Sequence, residues 1–128
     1  MPEPQALSVS QFIESLNAAF AEALFPYGVT VEGEVVQYKV SQGKWIWFDL
    51  KDETGLVSCF ATVWQVKTPL EDGMKVRVHG VPKLYPKNGR FSITVDRVEL
   101  VGEGALRRAF ELLKKKLDRK STRLNSSH

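Results

Sequence analysis

Two tryptophans stand two residues apart in the run Gly43-Lys44-Trp45-Ile46-Trp47-Phe48-Asp49-Leu50-Lys51-Asp52. Alternate side chains of an extended strand point to opposite faces. Ile46, Phe48 and Leu50 therefore share one face, an ordinary core stripe, and Trp45, Trp47, Asp49 and Lys51 share the other. That second face is the one that meets water. Indoles about 7 Å apart along a strand suit stacking on splayed nucleobases, an interaction worth about 1–3 kcal/mol per base. Their other use is to sit beneath a terminal helix. Phe60 and Trp64, on the matching face of the next extended segment, carry the same two readings. Phe60, nearer the middle of its strand, is the better stacking candidate.

Stacked bases bring phosphates with them, and phosphates need cations. Lys39, Lys44, Lys51, Arg77, Lys83, Lys87 and Arg90 are the candidates, each of which can equally be a solvated surface charge. Lys83, Lys87 and Arg90 flank a turn with Asn88-Gly89 at its tip. A binder engaging three to five such groups shows a log K versus log salt slope of about −2 to −3.5. Tyr38 and Tyr85 either stack or pack.

Hydrolytic chemistry is harder to find. Glu32, Glu34, Asp49, Asp52 and Glu53 do not converge by spacing on a metal-assisted site, and Asp52-Glu53 reads as turn chemistry. His79 has no nucleophile beside it. Cys59 falls on an inward stripe, which makes it a core thiol rather than a nucleophile. No glycine-rich phosphate loop is present. No catalytic residue, no metal ligand and no cofactor is therefore expected.

The chain has 128 residues, enough for one domain with a real core. Its net charge of +3 is unevenly placed. Residues 29–100 carry ten Lys/Arg against nine Asp/Glu, whereas residues 101–128 carry eight against three. A global basic footprint is thus missing from the central part, and phosphate binding there must come from local placement. One cysteine leaves no internal disulfide and points to a reducing compartment. No apolar stretch is long enough to span a bilayer, and the N-terminus lacks a signal-peptide pattern. No membrane association and a cytoplasmic location are expected.

These residues need elements to hold them. Residues 8–24 read as an amphipathic helix: Ser8 and Gln11 form a capping box, and Leu7 with Phe12 a hydrophobic staple. Phe12, Ile13, Leu16, Phe20, Ala23 and Leu24 line one face, and Pro26 and Gly28 end it. From Val29 the period changes to two. Val29, Val31, Gly33 and Val35 open a strand whose parity slips near Val35-Val36, as a bulge beside Gly33 would make it. The tryptophan strand covers about residues 44–51. A third strand carries Val57, Cys59, Ala61 and Val63 inward and Ser58, Phe60, Thr62 and Trp64 outward.

Residues 65–73 form a loop or short helix. Met74, Val76 and Val78 start a fourth strand, and Phe91, Ile93 and Val95 the inward stripe of a fifth. Residues 104–120 are a second helix with Leu106, Phe110, Leu113 and Leu117 at heptad-like spacing. A sandwich wants about seven strands. Five strands suit a small Greek-key barrel, the OB-fold, which binds oligonucleotides across its second and third strands. The fold class is mainly β with flanking helices. The divisions are a helical segment at 1–28, a barrel at 29–101 and a helix leading out at 102–120. The last eight residues, 121–128, break the helical pattern and read as a non-native tail.

The chain resembles the N-terminal region of the exodeoxyribonuclease VII large subunit. The blocks that carry the likeness run in order from Leu7-Ser8-Val9-Ser10 through Val31-Glu32-Gly33-Glu34-Val35 and Ser41-Gln42-Gly43 into Phe48-Asp49-Leu50-Lys51-Asp52. They continue with Cys59-Phe60, Glu71-Asp72-Gly73-Met74-Lys75-Val76 and Leu84-Tyr85, and close on Gly102-Glu103-Gly104-Ala105-Leu106 and the helix bearing Phe110 and Leu113. Many members have histidine where Lys44 stands, and a single aromatic where Trp45-Ile46-Trp47 lie.

The resemblance implies an OB domain that grips single-stranded DNA through Trp45, Trp47, Phe60 and the cations named above. It implies that hydrolysis belongs to a later domain absent from this chain, and that a small subunit binds beyond that domain. Two other readings stand beside it. One is an RNA-binding OB domain like the anticodon-binding domains of some aminoacyl-tRNA synthetases, and the other is an OB module that docks protein through its aromatic patch.

Overall fold

The computed structural model describes residues 5–24 and 27–126, and side chains as far as Leu117. Helix α1 (Val9–Leu24) is followed by strands β1 (Val29–Ser41), β2 (Trp45–Lys51), β3 (Leu56–Thr62), β4 (Lys75–Leu84) and β5 (Phe91–Leu100), then by helix α2 (Gly102–Ser126). The strands close into a barrel in the order β1-β2-β3-β5-β4. All neighbours are antiparallel except β3 and β5, which run parallel and meet at Cys59↔Ile93 and Phe60↔Thr94. This is the expected five-stranded Greek-key barrel with a helix at each end.

Strand β1 serves two neighbours, pairing with β4 through Val29–Glu34 and with β2 through Glu34–Ser41. A strand that changes partner must coil sharply, and Gly33 stands where it does. A Cβ there would lie 2.9 Å from the Lys51 carbonyl oxygen, so only glycine lets the two backbones approach. The bulge itself lies later than the parity slip suggested. The register shifts between Val36 and Lys39, and Gln37 takes the left-handed conformation at φ 53°. The tight coil at Gly33 leaves pairing intact, and the extra residue is absorbed only after β1 has joined β2.

The inward stripes meet as read. Val35, Ile46, Phe48, Leu50, Cys59, Ala61, Val76, Val78, Ile93 and Val95 fill the interior. Val66, Leu70 and Met74 from the β3–β4 connection and Ala105 and Ala109 from α2 belong to the same core. That connection is a loop with turns and no helix. Phe91 departs from its stripe: it is 44% exposed, because it begins β5 in the hairpin opposite Leu84 rather than inside the barrel.

In α1 the capping box is present, with the Gln11 N–H donating to Ser8 Oγ at 3.1 Å and the Ser8 N–H to Gln11 Oε1 at 2.9 Å. Only Ile13 of its apolar face is buried, and Phe12 and Ala23 stay exposed, since α1 rests chiefly against β4. Asn17 fixes it there, donating to the Leu84 carbonyl at 3.0 Å and accepting from the Leu84 N–H at 2.8 Å, as a paired strand would. The helix stop read at Pro26 lies outside the described residues. The Tyr27 and Gly28 N–H groups both return to the Leu24 carbonyl, with Gly28 at φ 71°, a left-handed helix ending.

Helix α2 starts two residues before the sequence pattern and its backbone continues through Ser126. Residues 121–126 contain neither glycine nor proline, so nothing in them stops a helix already under way. Arg108 ties α2 to the β3–β4 connection through one edge of its guanidinium, Nε and Nη2 donating at 2.7 and 3.0 Å to the two Glu71 carboxylate oxygens.

Candidate nucleic-acid interface

The alternation of β2 and β3 puts their outward aromatics side by side. Trp47 pairs across the sheet with Phe60, and Trp45 with Thr62. The Phe60 ring lies 4.6 Å from Trp47 and 5.7 Å from Trp45, centroid to centroid, at 49° and 31°. Trp64, in the turn after β3, meets Trp45 edge-on at 6.4 Å and 84°. The result is one continuous strip of four rings, Trp64-Trp45-Phe60-Trp47. Trp47 is 37% exposed and Trp64 61%, while Trp45 and Phe60 are half-buried. Both helices make their barrel contacts chiefly with β4, so the strip is not the floor under either of them.

Trp45, Phe60 and Trp47 open onto a groove of about 1080 Å³. Its far wall is the β4–β5 hairpin, which supplies Lys83, Tyr85, Asn88, Arg90 and Phe91. Gln37 and Lys39 of β1 border the other side, and Asp49, Ser58, Ser92 and Thr94 complete the polar lining. The hairpin is held upright at its root: Phe20 of α1 meets Phe91 edge-on at 5.9 Å, and Asn17 holds Leu84. At its tip, Gly89 at φ 68° closes the turn with its N–H on the Tyr85 carbonyl at 2.7 Å.

Of the residues singled out in the sequence, Trp45, Trp47, Phe60, Lys39, Lys83 and Arg90 therefore come together in one groove. Lys87 stands on the same hairpin, exposed. Lys44 lies in the turn before β2, outside the groove lining. Lys51 is at the far end of β2 and pairs with Glu34 at 3.5 Å. Arg77 is on β4, bonded to Glu32 at 2.8 Å and 3.6 Å from Glu99, which holds its guanidinium firmly charged but away from the groove. Glu32 and Glu34, two of the acids weighed for a metal-assisted site, are thus partners of cations.

Tyr85 and Phe91 belong to the site and were not assigned to it from sequence. Their signal was position: each borders the Asn-Gly turn. Tyr38, the other undecided aromatic, packs on Phe48 at 6.5 Å, and burial pushes its hydroxyl pKa up. Cys59 lies directly beneath the groove floor and is fully buried. Burial, with the charge of Asp49 behind it, pushes the thiol up to about 12, so it is protonated and unreactive. Asp52 turns its carboxylate onto the Thr54 and Gly55 N–H groups, which lower its pKa; it caps the β2–β3 turn.

Comparison with known proteins adds a family. The profile described as "OB-fold nucleic acid binding domain" matches residues 7–99. The exodeoxyribonuclease 7 large subunit of Limosilactobacillus reuteri is 38% identical over 120 residues, covering 91% of this chain and 27% of that protein. The protein of the same name from Azotobacter vinelandii is 38% identical over 116 residues, covering 88% of this chain and 25% of its own. The chain thus spans about a quarter of the length of the curated relatives it matches. Among solved structures, asparaginyl-tRNA synthetase from Pyrococcus horikoshii aligns with 59% of this chain and 20% of its own at 23% identity and a TM-score of 0.46.

Proposed function

Because the chain belongs to the family of OB-fold nucleic acid binding domains, we propose that it is the single-stranded-DNA-binding part of an exodeoxyribonuclease VII large subunit. The observation that carries this reading is the groove: an aromatic strip along its floor with Lys39 on one flank and Lys83 and Arg90 on the other. Bases stack on Trp47 and Trp45, whose π-faces accept any base. Their phosphates run out to the flanking cations, with Lys87 and Lys44 within the same electrostatic reach. A duplex, whose bases already stack on each other, has no free faces to offer this strip.

In this reading the DNA is held here and cut elsewhere. Phosphodiester hydrolysis, and docking of a small subunit, fall to parts of the relatives that this chain does not span. The location is the cytoplasm, where Cys59 stays reduced. Among the described residues no helix is long and apolar enough to cross a membrane.

The test is a titration of fluorescein-labelled dT and dC oligonucleotides at several salt concentrations. Engagement of Lys39, Lys83 and Arg90 gives a log K versus log salt slope of about −2, at roughly −0.7 per phosphate on single strands. Trp47→Ala weakens binding by about 1–3 kcal/mol, roughly 5- to 150-fold. No oligonucleotide binding by a folded sample at low salt would favour a protein-docking face instead, and binding that ignores Trp47→Ala would overturn the aromatic strip as its site. An equal or higher affinity for the matching RNA would favour the anticodon-type reading.

A further inference from the structure

One member of the groove lining is out of place in a phosphate-binding surface. Asp49 lies on the outward face of β2, two residues beyond Trp47 and about 7 Å along the strand from it. It stands directly across from Ser58, as Trp47 stands across from Phe60. The strip therefore ends in a polar pair, Asp49/Ser58, set beside the Trp47/Phe60 platform. Asp49 is half-buried, and among the described residues its carboxylate has no ion-pair partner and accepts no side-chain hydrogen bond. It is the only acid in the groove lining among the described residues, facing three cations.

A carboxylate is an acceptor only. It repels phosphate, so the backbone of a bound strand keeps to the Lys83/Arg90 side or the Lys39 side, and a base edge faces Asp49. The four bases differ sharply there. Thymine shows two carbonyl oxygens flanking a single N–H, so both neighbours of its one donor repel a carboxylate. Cytosine and adenine each offer an exocyclic amino group, and guanine offers two adjacent donors. Carboxylate to cytosine amino is an established discriminating pair. Ser58, whose hydroxyl donates or accepts, suits any of them.

We propose that Asp49 makes this groove base-selective, favouring bases with an exocyclic amino group and disfavouring thymine at the position beside Trp47 and Phe60. The assignment rests on the nucleic-acid reading above and adds a specificity determinant to it. Cytosine and thymine are the right comparison, because both are single-ring bases. They differ in their hydrogen-bonding edge and in the thymine methyl, which adds stacking area and so works against the expected preference.

The experiment measures dC and dT oligonucleotides of equal length against the unmodified chain, then against Asp49→Asn and Asp49→Ser. The expected result is dC bound about five- to tenfold more tightly than dT. That preference falls to about twofold or less in Asp49→Asn, chiefly because dT binds better once the negative charge is gone. Equal affinity for dC and dT in the unmodified chain overturns the assignment and leaves the nucleic-acid reading standing, as does a dC preference that survives in both folded variants. Absence of binding to any oligonucleotide overturns both. The comparison in the unmodified chain needs no variant to fold.

Discussion

Cys59 illustrates how completely neighbours set the chemistry of a residue. Its parity in β3 marks it as inward from sequence alone, and the structure adds why it is inert: full burial and the charge of Asp49 hold the thiol protonated far above neutral pH. Labelling with a disulfide reagent at pH 8 is expected to be negligible in the folded chain and immediate in denaturant. Fast labelling of the native protein would contradict the buried placement. The same parity argument put Trp45, Trp47 and Phe60 on one face. It said nothing of Arg77, whose partners Glu32 and Glu99 come from neighbouring strands and are legible only through register. Tyr85 and Phe91 escaped for a related reason. Their environment is set by how far the hairpin projects past the barrel.

At the scale of elements, caps and periods were readable and endings were not. The Ser8/Gln11 box is a local code and appears as written. The bulge in β1 depends on where two neighbours compete for one strand, so sequence parity located it only approximately. The docking of α2 depends on a long-range pair, Glu71 with Arg108. The Arg108 hydrogen bonds lower the Glu71 pKa below its ordinary value, and Arg108 rises in return. A carboxyl with a depressed folded pKa contributes stability above its unfolded pKa, about 4.3, and loses it as pH falls through the folded value. Glu71→Gln is therefore expected to lower Tm modestly at pH 7. The gap between it and the unmodified chain should shrink as pH falls below the unfolded value and close once pH has fallen through the folded one. A gap that acid leaves unchanged would mean the pair contributes through packing rather than charge. Both side chains are about 40% exposed and screened by solvent, so the effect is a small one.

For the whole molecule, five strands in one domain-sized segment were enough to select the barrel, because period-two stripes and turn residues are local and five strands are too few for a sandwich. The charge ledger misled in isolation and informed once located: a nearly neutral barrel still gathers three cations around one groove. The joint that closes the ring was not legible, since parallel pairing of β3 with β5 leaves no mark in either strand. That joint has a further consequence. Nine register pairs bind β4 to β5, whereas β3 and β5 meet through only two. A ring breathes at its weakest joint, and one of those two pairs contains Phe60, the centre of the aromatic strip. An oligonucleotide lying across Phe60 straddles the joint and acts as a clasp. Amide exchange at Cys59, Phe60, Ile93 and Thr94 is expected to slow on binding by more than exchange in the β4–β5 ladder. In that event the ligand is also a closing element of the barrel, and its loss is the first step by which the ring comes undone.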